Sequence, residues 1–209
     1  EFGTGGMRGV MGAGTNRINK YTLGRATQGL SNYLIENIHK NQLKVVIAYD
    51  CRHNSKKFAK IVADVLSANN IKVYLFEDLR ATPELSFAVR HLDCDAGIVL
   101  TASHNPPEYN GYKVYWADGG QIVPPHDGKI IRNVNALDFS EIKFTANEAL
   151  IETIGKAVDD VFIAAAVKNG SLSSNIDRKN LKVVFTSLHG TSIVSVPDAL
   201  AKAGYTDVH

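Results

Sequence analysis

Three short apolar runs, 44–49, 71–76 and 96–100, alternate along this chain with longer stretches whose apolar residues recur at helical spacing. Runs of this length, rich in Val and Ile, read as buried strands. Leu23, Ala26, Thr27, Leu30, Tyr33, Leu34 and Ile38 make a helical stripe over 21–40. Phe58, Ile61, Val62, Val65 and Leu66 make a second, capped by Asn54 or Ser55 and ended at Asn69-Asn70. Leu85, Ala88, Val89 and Leu92 make a third. It is opened by Thr82-Pro83, where the missing N–H of proline costs nothing. Strands that alternate with helices pair in parallel through crossovers. The expected fold is therefore α/β: a three-layer α/β/α domain with a mostly parallel mixed sheet, followed by the start of a second α/β domain.

Beyond residue 100 the pattern changes. Residues 111–116 alternate, Asp118-Gly119-Gly120 turns, and Gln121-Ile122-Val123 continues, which reads as a hairpin added to the sheet. Helices are expected over 126–137 and 151–168, and a linker over 169–175. A strand over 181–186 and a helix over 191–203, with Gly204 as its C′ residue, open a further βα unit. The expected domains are 1–145 and 146–209, the second a linking helix and an incomplete start. The chain begins Glu1-Phe2-Gly3 and ends at Val208-His209 just after a strand begins, so a piece of a longer protein is expected.

Composition narrows the partners. The 23 basic and 21 acidic residues leave a net charge of +2, which gives no electrostatic case for nucleic acid or a membrane surface. No apolar run approaches the ~18 residues that span a bilayer, and no signal-peptide pattern opens the chain. Cys51 and Cys94 fit no close-spaced metal pattern and are too few for a disulfide framework. Reduced, partly buried thiols in a cytoplasmic protein are expected.

The chemistry centres on Thr101-Ala102-Ser103-His104-Asn105-Pro106-Pro107, which follows the 96–100 run directly. A hydroxyl is set on a proline-stiffened turn at the carboxyl end of a strand, where ligands of open α/β sheets collect. Ser103 is a candidate nucleophile or phosphate carrier, provided a base or positive charge assists it. The plain alternative is a turn serine that caps backbone amides. His104 is adjacent, but neighbours on extended backbone point opposite ways, so no simple Ser–His dyad is expected. Lys113 follows Tyr109-Asn110-Gly111, and a hairpin returning past the serine would bring its ammonium near, as a phosphate clamp or a base. Otherwise it is a solvated strand lysine.

Gly3-Thr4-Gly5-Gly6-Met7-Arg8-Gly9 offers converging backbone N–H groups and, in Arg8, a fork suited to phosphate oxygens. It lacks the P-loop pattern, and a loose terminus is the plain reading. Asp50-Cys51-Arg52 reads as an Asp–Arg pair or a contact at the helix start near the site. Asp93 and Asp95 read as surface carboxylates, and His39, His53, His91, His126 and His209 as surface or packing residues. His189-Gly190-Thr191, at a strand end before a helix, has a phosphate or domain-interface reading.

Three segments in this order, Gly3 to Gly9, Thr101-Ala102-Ser103-His104-Asn105-Pro106 and Tyr109-Asn110-Gly111-Tyr112-Lys113, resemble the α-D-phosphohexomutase family. That family includes phosphoglucomutases and phosphomannomutases, and the resemblance runs on to Ser187-Leu188-His189-Gly190. The serine loop is its specific segment. The resemblance implies that Ser103 is carried as phosphoserine, donates its phosphoryl group to a hexose or pentose monophosphate, and recovers the other phosphate from the bisphosphate intermediate. It implies that Ser103 ligates Mg2+ through a phosphate oxygen. Lys113 would be the general base toward the sugar hydroxyl, while His104 and Arg8 orient the acceptor and hold phosphate oxygens. Asn105 would shape the loop.

The family has four domains, so the resemblance makes this chain the first and the start of the second. Its Asp-x-Asp-x-Asp magnesium loop and its sugar-reading segments are absent from these residues, so no mutase turnover is expected of the 209 residues alone. The stretch from Tyr112 to Ile122 is more similar to the branch acting on glucose, mannose or pentose phosphates than to the glucosamine-phosphate branch. Two alternatives stand beside this reading. One is a non-catalytic sugar-phosphate-binding module. The other is a serine hydrolase, which needs a Gly-x-Ser-x-Gly elbow, whereas Asn105-Pro106-Pro107 blocks an immediate helix start. The sequence sets no oligomeric state.

Overall fold

All five residues of the run Ala96–Leu100 are buried. They form the strand around which the sheet is built. The structure, a computed structural model, describes residues 2–3, 5–170 and 177–209. Its elements in chain order are β1 (Gly6–Val10), α1 (Lys20–Asn37), β2 (Lys44–Tyr49), α2 (Ser55–Ala68), β3 (Lys72–Phe76), α3 (Thr82–His91), β4 (Ala96–Leu100) and β5 (Tyr109–Trp116). After them come α4 (His126–Ala136), β6 (Ile151–Ile154), α5 (Lys156–Asn169), β7 (Lys182–Val183), α6 (Ser192–Lys202) and β8 (Asp207–Val208). Most of the expected linker 169–175 lies outside the described residues.

The main sheet has the order β1-β5-β4-β2-β3-β6. β4, β2, β3 and β6 run parallel, while β5 is antiparallel to both β4 and β1. The mostly parallel mixed sheet is thus observed. Strand side chains alternate between its faces. Val45, Ile47, Ile98, Leu100, Tyr112 and Val114 meet Leu30, Leu34, Val62, Leu66 and Ile130 of α1, α2 and α4. Val46, Ala48, Phe76, Val99 and Tyr115 meet Leu85, Ala88, Val89 and Val158 of α3 and α5. These two cores separate the three layers.

Several local expectations are corrected. Residues 151–168 are not one helix: Ile151–Ile154 form β6 beside β3, and α5 starts at Lys156. Ile151 packs on one core and Ile154 on the other, which a strand allows and a continuous helix does not. The return of the expected hairpin is a single bridge from Gln121 to Tyr115, and β5 spends its pairing on β1 and β4 instead. The strand expected over 181–186 shortens to Lys182–Val183, paired with β8.

Asn54 occupies the N-cap of α2 in a left-handed conformation (φ 64°) without capping it, and the Ser55 hydroxyl donates instead to Asp50 at 2.7 Å. Asp95 is no surface carboxylate. It is 2% exposed, 2.8 Å from Lys40 Nζ, and accepts the Lys44 N–H at 2.9 Å. From Gly6 on, the glycine segment is an edge strand rather than a loose end. A side chain at Gly6 (φ 135°) would meet the Tyr112 carbonyl at 1.8 Å, so glycine is there for the close approach of β1 to β5.

α5 is fastened beneath the sheet by an ion pair. Arg80 donates to both Asp159 oxygens, at 2.7 and 2.8 Å. Burial pushes the Asp159 pKa up, but the Arg80 guanidinium that donates to both its oxygens outweighs it and holds the value below the usual range. Among the described residues, no helix is long and apolar enough to cross a membrane.

Candidate active site

β4 ends at Leu100 and the chain turns sharply. The Thr101 N–H donates to the Gly111 carbonyl at 3.1 Å, which ties the start of the loop to β5. Thr101 Oγ1 accepts the Ser103 N–H at 2.9 Å, and the Asn105 N–H returns to the Ala102 carbonyl at 3.1 Å. A second turn follows, from the Tyr109 N–H to the Pro106 carbonyl at 3.0 Å. Ser103 sits at φ 55°, in the left-handed region that costs an L-residue ~1–2 kcal/mol. Strain of this kind persists where surrounding contacts over-determine it.

The left-handed turn overturns the expectation drawn from extended backbone. Ser103 Oγ and His104 Nδ1 lie 3.3 Å apart, so the two neighbours do face each other. The serine is exposed, not buried in the core.

Ser103 lines a hollow of about 640 Å³ at the carboxyl edge of the sheet. Asp50, Arg52 and His53 reach it from the end of β2, Thr82 from the start of α3, and His189, Gly190 and Thr191 from the segment before α6. A second hollow of about 540 Å³, bounded by Thr186, Ser187 and Leu188, shares Ser103 and His104 with the first. The serine therefore stands where two hollows meet. The segment before α6 contributes directly, since the Cys51 thiol donates to the His189 carbonyl at 2.8 Å.

The sequence-derived candidates divide. Ser103, His104 and Asn105 share the loop, and the Arg8 guanidinium joins them by donating to Asn105 Oδ1 at 2.9 Å. Lys113 stands on β5 opposite Val99 and Gly6, half-buried, and is not among the residues that line the hollow. His53, read as surface or packing, is in the wall. The residue whose reach went unseen is Arg52. Its pairing with Asp50 is present at 3.4 Å, but its guanidinium also extends to the serine loop. The signal was a basic residue three positions beyond a strand end.

Around Ser103 stand Arg52, His53, His104 and His189, with Arg8 one hydrogen bond away through Asn105. Asp50, the one carboxylate among the described residues that line the hollow, is engaged by Arg52 and Ser55. This is a setting for a transferring phosphoryl group, which needs positioning and charge neutralisation more than covalent help. Among the described residues no group of three or more His, Cys, Asp or Glu side chains is arranged to hold a metal.

Fold and site together define a class: a three-layer α/β/α domain that presents a serine to an anion-suited hollow at its sheet edge. The family model described as phosphoglucomutase/phosphomannomutase, alpha/beta/alpha domain I, matches residues 1–141, and the chain belongs to that family. It is 42% identical over 212 residues to the phosphoglucomutase of Staphylococcus haemolyticus, covering 99% of this chain and 38% of the relative. With the phosphoglucomutase of Staphylococcus aureus it shares 42% identity over 208 residues, covering 98% and 37%.

Among solved structures, a putative phosphomannomutase from Thermus thermophilus aligns with a TM-score of 0.80 at 29% identity, over 100% of this chain and 45% of that one. A phosphoglucomutase/phosphomannomutase family protein from Burkholderia thailandensis gives 0.73 at 23% identity over 100% and 43%, and bears on the fold alone. The chain thus spans 38% of the length of the first of these relatives.

Proposed function

We propose that Ser103 is the phosphoryl carrier of a mutase that interconverts the 1-phosphate of a hexose or pentose with its terminal phosphate. The observation that carries this reading is the left-handed, exposed Ser103 at the meeting of two hollows, with Arg52, His53, His104 and His189 around it. In the forward step the bond from phosphorus to Ser103 Oγ breaks as one from phosphorus to the sugar hydroxyl oxygen forms. The hydroxyl proton passes to a base; the family resemblance gives that role to Lys113, which in this structure stands on β5 outside the lining of the hollow. The bisphosphate then returns its other phosphoryl group to Ser103, restoring the carrier. His104 and Arg8 orient the acceptor and neutralise phosphoryl oxygens, work of the kind that a preorganised site does best.

For magnesium, the described residues would offer a phosphoryl oxygen on Ser103 and no carboxylate cluster, so by themselves they do not make a complete metal site. The free thiols of Cys51 and Cys94 suit a cytoplasmic setting. The test is a coupled assay with glucose 1-phosphate and a bisphosphate primer on the full-length polypeptide that contains this sequence. Turnover that disappears in Ser103→Ala supports the reading, and turnover that survives it excludes the carrier role.

For this chain by itself, the lack of a carboxylate cluster among the described residues favours a second reading, sugar-phosphate binding without turnover. Titration calorimetry with glucose 1-phosphate on this chain separates binding from inertness.

A further inference from the structure

The Arg52 guanidinium donates to four main-chain carbonyls of the serine loop. Nη1 reaches the Pro106 oxygen at 2.8 Å and the Tyr109 oxygen at 3.1 Å. Nη2 reaches the Ser103 oxygen at 2.7 Å and the Asn105 oxygen at 2.5 Å. Behind the fork, Asp50 Oδ2 lies 3.4 Å from Nε. Asp50 is itself held, since Oδ1 accepts from the Ser55 hydroxyl at 2.7 Å and from the Arg52 N–H at 3.0 Å. The Arg52 side chain is 11% exposed although it borders the hollow.

Guanidinium carries five N–H donors in a rigid plane, whereas ammonium carries three on a swinging stem. Four carbonyls between residues 103 and 109 take up the four Nη hydrogens and the fifth donor, Nε, faces Asp50 at 3.4 Å, which leaves Arg52 no Nη hydrogen to offer a phosphate. Arg52 takes up the Ser103 and Asn105 carbonyls, and it shares the Pro106 carbonyl with the Tyr109 N–H, which donates there at 3.0 Å. The clamp also explains how Ser103 stays in a conformation that its side chain disfavours.

We propose that Arg52 is the positioning residue of the serine loop. It fixes the backbone of Ser103, and hence the direction of the hydroxyl, without touching the sugar phosphate. This rests on the reading of Ser103 as phosphoryl carrier. It adds a residue whose effect is transmitted wholly through main-chain carbonyls.

The test uses Arg52→Lys and Arg52→Met in the full-length polypeptide that contains this sequence. Turnover of glucose 1-phosphate and amide hydrogen exchange of Ser103 and Asn105 are both measured, after a thermal melt has shown that each variant folds. Arg52→Lys keeps the charge and, should Arg52→Met fail to fold, carries the test alone. The expected result is kcat lowered by ~10²-fold, as for a small misplacement of a reacting group. KM for the sugar phosphate should stay within roughly twofold. Exchange of the two amides should quicken by roughly tenfold or more as the loop opens locally.

Unchanged kcat and exchange in Arg52→Lys would overturn the proposal. So would a raised KM with unchanged kcat, the mark of a substrate contact. If the unaltered protein accepts no phosphoryl group, the carrier reading fails, and the exchange comparison still decides whether Arg52 holds the loop.

Discussion

The Arg8 guanidinium donates to the Asn105 side-chain oxygen at 2.9 Å, joining residues 97 positions apart. Arg8 is on β1, the antiparallel edge strand, and Asn105 is on the loop that leaves β4. β5 lies between them and aligns Gly111 with Arg8 while the Gly111 carbonyl accepts the Thr101 N–H. The register of the edge strand thus delivers a cation to the serine loop. The contact is exposed, so its coupling energy should be small, ~0.2–1 kcal/mol in a double-mutant cycle of Arg8→Met and Asn105→Ala read by urea unfolding. Its effect on chemistry should be larger, with Arg8→Met lowering kcat/KM by ~10²-fold in the full-length polypeptide. Equal activity in Arg8→Met would remove Arg8 from the site.

Ser103 should trade stability against chemistry. Glycine adopts the left-handed region freely, so Ser103→Gly should raise unfolding free energy by ~1 kcal/mol, less the entropy that glycine adds to the unfolded chain. The same variant loses the carrier oxygen and should accept no phosphoryl group. Denaturant melts and intact-protein mass spectrometry measure the two effects. A marked loss of stability would show that the Ser103 hydroxyl serves the fold.

Gly111 and Gly97 form a matched pair of probes. A side chain at Gly111 would meet the Thr101 oxygen at 2.6 Å and the Met7 oxygen at 2.8 Å, both main-chain atoms. At Gly97 it would meet Val89 Cγ2 at 2.5 Å, in the core beneath α3. Overpacking of either kind costs ~1–3 kcal/mol. Gly111→Ala should also displace the serine loop and lower turnover, whereas Gly97→Ala should lower stability alone. Equal turnover in the two variants would break the link between β5 and the loop.

How much of this was legible in the sequence depends on the range of the forces involved. β2 and β4 were readable to the residue because a strand buried on both faces must be apolar throughout. β6 was not, because Ile-Glu-Thr-Ile has no strand signal stronger than the helix that follows it, and only docking against β3 decides. Ser103 was legible because its neighbours along the chain mark a turn at a strand end. The meeting of Ser103 with His104 was not, since it depends on a left-handed φ that the sequence does not announce. Arg52 showed its short-range pairing with Asp50 but not its reach to loop carbonyls more than fifty positions away.

Glu84 should make stability depend on pH. It is wholly buried. Burial first, and then the neighbouring Asp159 carboxylate, push its pKa from 4.5 to about 8. The folded protein therefore keeps a proton that the unfolded chain releases above its ordinary value. The contribution of Glu84 is fully present below the unfolded pKa of 4.5 and is lost as pH rises through about 8. Glu84→Gln keeps the neutral shape and should flatten that decline in urea melts between about pH 5 and about pH 8. An unchanged slope would mean that Glu84 is ionised in the folded protein.

The most direct measurement follows the phosphoryl group itself. The full-length polypeptide that contains this sequence is incubated with glucose 1,6-bisphosphate labelled in its phosphates, digested, and the labelled peptide sequenced by mass spectrometry. The account expects a phosphoryl group on Ser103 and no stable label in Ser103→Ala. A label on another side chain, or sugar-phosphate turnover by Ser103→Ala at the rate of the unaltered protein, would contradict it.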